Sequence, residues 1–125
     1  MNIESLHPLI LAYVGDAAME VLVRERLALT GISKAGELNR MALEYVTAKR
    51  QSEVCDVLLE HLTEQEEDIY RRAKNAKGGP GPRNVTVYEY RKATGLEAVF
   101  GYNRLTGNDA RNRELFDIIY PIEIQ

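Results

Sequence analysis

The chain has 125 residues, of which 45% are hydrophobic and 28% charged, and its formal net charge is −3. This length suits one compact domain, residues 1–125, and the composition excludes a wholly disordered, collagen-like or disulfide-scaffold protein. Because the sequence has one cysteine, no secretory leader pattern and no run of about 20 apolar residues, we expect a soluble cytoplasmic protein with no membrane partner.

Apolar residues recur with a helical period along nearly the whole chain, and no alternation is long enough to indicate a strand. The predicted fold class is therefore all-α. The first helix is expected from about Leu6 to Leu29, with Pro8 in its opening turn and Gly31 just past its end. Its middle, LILAYVGDAAMEVLV, is apolar on all sides, which predicts a helix at the centre of the fold rather than at its edge.

Two further helical regions follow. The first runs from about Lys34 to His61, straight or bent, and Ser33 is its expected N-cap. The second begins after Thr63, and Glu66 three residues later completes a capping-box pattern. The acidic run EQEED at this helix start has a structural explanation, because capping and the helix dipole both favour negative charge there.

The segment KGGPGPRN, from Lys77 to Asn84, contains three glycines and two prolines and is predicted to be a loop. A fourth helix is expected from about Thr86 to Leu105, ending near Gly107. A last helix is expected from about Asn108 to Ile119, before Pro121.

Positive charge is concentrated around that loop. Between positions 71 and 92 one acid, Glu89, accompanies seven basic residues, so the segment carries a local charge of +6 and the remaining residues sum to −9. The seven basic residues are Arg71, Arg72, Lys74, Lys77, Arg83, Arg91 and Lys92. Such segregation attracts a polyanion to one surface, although a solvated loop would have the same composition.

Two acids occupy apolar surroundings. Asp16 lies in the middle of the first helix and Glu97 in the run GLEAVFGY of the fourth, where an ionised carboxylate is costly unless a cation or hydrogen-bond donors compensate it. Asp16 could equally stand at a helix edge or pair with an arginine or lysine. Glu20, one turn further on, could join it or pair with Arg24.

Glycines mark a surface on each of these helices. Gly95 and Gly101 each cost about 1 kcal/mol relative to alanine in a helix, which suggests close approach of another helix, and Gly15 could serve the same purpose. If the two surfaces cross, Asp16 and Glu97 meet and form an oxygen-ligand site for a hard cation such as Mg²⁺. With two histidines and no CxxC or HExxH motif, no other metal or nucleophile arrangement competes.

These motifs together resemble a known family. LAYVGDAAMEVLV resembles the signature helix of ribonuclease III catalytic domains, and TGLEAVFGYNRL resembles their glutamate-bearing helix. NAKGGPGPRN followed by YRKATGLEAVFGY resembles the short branch called mini-ribonuclease III, which lacks a double-stranded-RNA-binding domain. The resemblance spans roughly residues 6–120.

The resemblance implies a ribonuclease III endonuclease-domain fold and a symmetric homodimer that hydrolyses double-stranded RNA with Mg²⁺, leaving 5′-phosphate and 3′-hydroxyl ends. Asp16 and Glu97 match the family's metal-binding catalytic acids. Leu9, Ala12 and Thr94 stand where full-length members carry further acids, which argues against a second metal held entirely by protein. Within the short branch the implied substrate is precursor large-subunit (23S) ribosomal RNA, and a ribosomal protein or pre-ribosome is a further expected partner.

A nuclease without an added RNA-binding domain must hold the duplex with its own surface. We expect Lys74, Lys77 and Arg83 to contact phosphates, and Asn75 and Asn84 to reach 2′-hydroxyls across the minor groove. Two other functions stay open: a ribonuclease III fold that binds structured RNA or the ribosome without cutting, and a helical protein-interaction module. The interaction module leaves both the basic segment and the two acids unexplained.

Overall fold

The structure, a computed structural model, describes residues 2–77, 81 and 83–122. These residues form a short 3-10 helix, Ile3–Ser5, followed by α1 (Pro8–Ala28), α2 (Ala35–Val46), α3 (Ala48–Leu59), α4 (Glu64–Lys74), α5 (Val87–Leu105) and α6 (Asp109–Ile119). The described ranges contain no strand, so the predicted all-α class is confirmed. No helix within them is both long and apolar enough to cross a membrane.

Local capping explains where most helices begin. α1 starts at Pro8, two residues later than predicted, because His7 Nδ1 accepts a hydrogen bond from the Leu9 amide at 3.1 Å. The expected capping box of α4 is present, with reciprocal bonds of 2.9 and 3.1 Å between Thr63 and Glu66. α5 has the same device at residues 86–89, a pattern that the sequence also carries.

The second predicted region is two helices rather than one. Thr47 is extended, with φ −68° and ψ 146°, and its hydroxyl accepts the Arg50 amide at 3.2 Å, so it ends α2 and caps α3. The prediction that Ser33 caps the first of them is wrong, since Lys34 occupies that position without a side-chain cap.

The centre of the fold belongs to α5, which is buried along most of its length and packs against α1, α3 and α4. α1 was expected at the centre, but one of its faces is open. Ile10, Tyr13 and Val21 lie on that face with 51%, 79% and 53% of their surface exposed. An all-round apolar helix gives no sign of which face its neighbours leave uncovered.

α1 and α5 cross at glycines. A Cβ atom on Gly15 would lie 1.6 Å from the Glu97 carbonyl oxygen, and one on Gly101 would lie 1.8 Å from the Leu11 carbonyl oxygen. Gly95 instead faces the Tyr70 ring of α4, 2.7 Å from a Cβ built there. The two backbones therefore touch directly at residues 15 and 101, as the sequence predicted for the glycine-marked surfaces, and this contact fixes the separation of the helices beside Asp16.

Candidate active site

A cleft of about 500 Å³ opens beside the crossing of α1 and α5 and is closed on one side by the end of α4. Asp16 and Tyr13 line it from α1, and Arg91, Thr94 and Glu97 line it from α5. Both predicted acids therefore face one space, which is open to solvent.

The two acids line the same cleft, and their surroundings differ. Asp16 is exposed on α1, whereas Glu97 is mostly covered on α5. Burial raises the pKa of the Glu97 carboxyl to about 9, and the hydrogen bond to Asp16 and its negative charge raise it further in the same direction. The pair therefore holds a proton at neutral pH when no cation is present.

The expectation that Asp16 is desolvated in the helix middle is wrong. Its position is apolar in sequence, but the open face of α1 leaves the side chain exposed. Within the described part of the chain Asp16 makes no salt bridge, so the alternative of pairing with an arginine or lysine is not observed. The carboxyl of the site that is desolvated by burial is therefore that of Glu97.

Other carboxylates stay outside the site. Glu20 Oε1 lies 2.8 Å from Arg24 Nη2 and does not line the cleft, which decides between the two alternatives for this residue. Thr94 faces the cleft, and its hydroxyl donates to the Tyr90 carbonyl oxygen at 2.9 Å. Among the described residues no group of three or more His, Cys, Asp or Glu side chains could hold a metal ion, so the site is an acid pair.

The five residues expected to bind RNA belong to residues 74–84, called the rim segment here, which borders the cleft although none of the five lines it. Lys74 is the last residue of α4 and Asn75 is its C-cap, and Lys77 is exposed just beyond. Arg83 and Asn84 are exposed in the turn before α5. Residues 76 and 81 of the same segment line the cleft, so the segment borders the acid pair; the rest of the predicted loop, residues 78–80 and 82, lies outside the described residues.

The basic segment is less positive than its composition indicates. Asp68 neutralises Arg71 at 2.6 Å and approaches Arg72 at 3.8 Å. Lys92 is buried and pairs with Asp56 at 3.2 Å. Three of the seven cations therefore have acidic partners from outside the segment, which a count of charges over positions 71–92 does not include.

Two residues of the cleft had no role in the sequence-based prediction. Tyr13, three residues before Asp16, is exposed and lines the cleft, and Arg91, three residues before Thr94, is also exposed and lines it. The spacing of Tyr13 from Asp16 is a signal that could have identified it, because residues three apart share a helix face, whereas Arg91 lies six residues from Glu97 and has no such signal.

Comparison with known proteins agrees with this geometry. The ribonuclease III domain model matches residues 9–108. A mini-ribonuclease 3 from Symbiobacterium thermophilum is 45% identical over 111 residues, covering 89% of this chain and 85% of the relative. One from Enterococcus faecalis is 43% identical over 116 residues, covering 91% and 88%. A crystal structure of a protein from Fusobacterium nucleatum has a TM-score of 0.83 at 33% identity, covering 93% of each chain.

The helical fold and these matches define a ribonuclease III domain. More particularly, the chain belongs to the mini-ribonuclease III family and is an endoribonuclease. The resemblance read from the motifs around Asp16 and Glu97 is thereby confirmed for the family.

Proposed function

We propose that this endoribonuclease is Mg²⁺-dependent and hydrolyses double-stranded RNA at the cleft that holds Asp16 and Glu97, leaving 5′-phosphate and 3′-hydroxyl ends. One observation carries the proposal: two carboxyls line one open cleft, and burial together with the neighbouring Asp16 raises the pKa of Glu97 to about 9. Two such acids repel when both are ionised, and a divalent cation between them would remove that repulsion.

The donor set suits magnesium. Asp16 and Glu97 offer carboxylate oxygens, the ligands that Mg²⁺ prefers, and Mg²⁺ commonly takes one or two carboxylates with the remainder from water and phosphate. The described residues supply no third acid, which agrees with that pattern. When bound there, Mg²⁺ would supply Lewis-acid activation of water and neutralisation of the phosphate charge.

The chain itself contributes rigid placement. Gly15 packs on the backbone of Glu97, and this contact fixes the separation of the two backbones that carry Asp16 and Glu97. Asp16, which is exposed, is the acid that faces an approaching RNA strand, and Glu97 lies deeper. Glu97 holds a proton when the cleft contains no cation, and that proton must leave before both carboxylates can act as ligands.

The rim segment supplies the RNA contacts of the proposal. Lys74, Lys77 and Arg83 are accessible cations beside the cleft, suited to phosphates of one duplex. Asn75 and Asn84 are exposed on the same rim, and their amides can donate to and accept from 2′-hydroxyls, the group that distinguishes RNA from DNA.

A homodimer is part of the proposal, because cutting both strands needs two sites related by a two-fold axis. The open face of α1, with Tyr13 and Val21 exposed, is the apolar surface that supports it. Next to this face lies a cavity of about 510 Å³ between α1 and α6. Asn112 lines that cavity, and its buried Oδ1 has no hydrogen-bond partner among the described residues.

The natural substrate we propose is the duplex formed by the ends of precursor 23S ribosomal RNA in the cytoplasm, with a ribosomal protein or pre-ribosome as a further partner. Support for this comes from the family resemblance. The cleft itself supports the broader class, because its visible features are an acid pair and a basic rim that suit any RNA duplex.

The test is cleavage of an end-labelled RNA duplex with Mg²⁺, an EDTA control, and the variants Asp16→Asn and Glu97→Gln. Glu20→Gln is the matched control, because it removes a carboxylate one helical turn from Asp16 that pairs with Arg24 outside the cleft. We expect Mg²⁺-dependent cutting of both strands by the wild type and Glu20→Gln, and loss of at least about 100-fold in the other two. Duplex binding without cutting by the folded wild type, on this RNA and on a ribosomal precursor, would contradict the proposal.

A further inference from the structure

Arg91 differs in charge from the other described residues that line the cleft. It is exposed, and it is the one basic side chain among the described residues that line the space shared by Asp16 and Glu97. It stands on α5, the helix that carries Glu97, so its backbone is held by the most buried helix of the fold.

No acidic side chain among the described residues neutralises the charge of Arg91. Within the described part of the chain Arg91 makes no salt bridge, whereas Arg71 is held by Asp68 at 2.6 Å and the adjacent Lys92 is buried against Asp56 at 3.2 Å. The acids that line the cleft together with Arg91 are Asp16 and Glu97. An exposed arginine that lines the same cleft as two carboxylates and bonds to neither has its donors free for a group that enters the cleft.

We infer that Arg91 binds the scissile phosphate, donating to its non-bridging oxygens within the cleft that Asp16 and Glu97 also line. This rests on the proposed function of Asp16 and Glu97. A guanidinium matches a phosphate with two parallel N–H···O bonds, a geometry that the ammonium of lysine cannot reproduce.

The chemistry gives this contact a consequence for rate. In hydrolysis the oxygen of water forms a bond to phosphorus and gives up a proton to solvent, the bond from phosphorus to the 3′ oxygen breaks, and the 3′ oxygen takes a proton from solvent. Negative charge is spread over the non-bridging oxygens along this path, and donors already aimed at them stabilise the transition state more than the ground state. The role of Arg91 is electrostatic, because its guanidinium donates hydrogen bonds and transfers no proton.

The first test separates binding from turnover. We expect Arg91→Ala to lower kcat on a saturating RNA duplex by about 100-fold and to change KM only slightly, because one phosphate among many is lost. Arg91→Lys should recover part of kcat, since charge returns without the paired bonds. Arg71→Ala, which removes the same charge outside the cleft, should keep wild-type kcat. A kcat of Arg91→Ala within about threefold of wild type would overturn the inference.

The second test does not depend on cleavage. In an Asp16→Asn background, duplex affinity is measured against salt concentration with and without Arg91→Ala. We expect the slope of log affinity on log salt to fall by about 1 when Arg91 is removed, and to stay unchanged for Arg71→Ala. If the slope falls while wild-type protein cuts no RNA, the phosphate contact stands and the proposed function fails. If the slope is unchanged, Arg91 makes no phosphate contact and the inference fails.

Discussion

The crossing of α1 and α5 is the structural basis of the site, and adding one methyl group there tests it. In Gly15→Ala the new Cβ would lie 1.6 Å from the Glu97 carbonyl oxygen, whereas ordinary contact begins at 3.4 Å. The obstacle is backbone, so the helices must part by nearly 2 Å at this point. Overpacking of this kind costs about 3 kcal/mol, of which alanine's better helix propensity offsets about 1 kcal/mol. We expect a net loss of about 2 kcal/mol.

Gly36→Ala is the matched control. Gly36 is a helical glycine of α2 with no atom within 4 Å of a Cβ built on it, so the same change should stabilise by about 0.5–1 kcal/mol. The two variants should thus differ by about 3 kcal/mol in their free energies of unfolding.

The assay is urea unfolding followed by helical circular dichroism at one protein concentration, since a dimer's stability depends on concentration. The cleavage rate is measured on the same samples under conditions where Gly15→Ala is still folded. Because the carboxyl of Asp16 is carried by the same crossing, this variant should also cut RNA more slowly. A Gly15→Ala protein within about 0.5 kcal/mol of wild type would show that the helices do not touch as described.

Three further predictions concern charge and assembly. In the metal-free protein the raised pKa of Glu97 contributes stability that is fully present below the unfolded pKa of about 4.5 and is lost as pH rises through about 9. In urea titrations across that window the wild type should lose up to about 1.4 kcal/mol of unfolding free energy per pH unit, whereas Glu97→Gln should show no such slope. Equal slopes for the two proteins would refute this prediction. Glu66 has the opposite sign: Arg111 and other donors hold its pKa below the usual range despite burial, so its contribution is present above about 4.5 and lost in acid. Glu66→Gln should cost about 3 kcal/mol at neutral pH and flatten the acid limb of the stability curve; an unchanged acid limb would count against that pair. Val21→Asp should convert a dimer to monomers in light scattering, and an undisturbed dimer would place the interface elsewhere.

Helix positions were readable from the sequence where the signal is local. The T-x-x-E pattern at Thr63 and the glycine after α1 act within one turn, so the sequence alone indicates them. The break at Thr47 was missed because threonine is tolerated inside helices, and only its extended backbone makes it a cap. Local pattern therefore predicted how many residues are helical better than where one long helix divides.

The acid pair could be predicted from the sequence because a glycine inside a helix indicates close packing against another helix. Gly15 and Gly101 indicated a crossing, and the crossing brought Asp16 to Glu97. What the sequence could not supply was the asymmetry of the pair. Which acid is covered depends on the face of α1 that its neighbours leave open. When a helix is apolar on all sides, its sequence does not indicate which face is open.

The charge of the basic segment was misjudged for a related reason. Asp56 and Asp68 lie outside the residues that were counted, and one of them neutralises a lysine that is 36 positions away. Partners at that separation are set by packing. Arg91 could not be singled out from its six basic neighbours until the cleft showed which cation faces the acids.

The central claim is that Asp16 and Glu97 act as one unit, and a double-mutant cycle on the cleavage rate tests it most directly. Single-turnover rates on one RNA duplex are measured with saturating Mg²⁺ for wild type, Asp16→Asn, Glu97→Gln and the double variant. Because losing either carboxylate already removes the shared site, the double variant should be about as slow as the slower single variant. If the two losses instead multiply, each acid works independently, and the account of a shared site is contradicted.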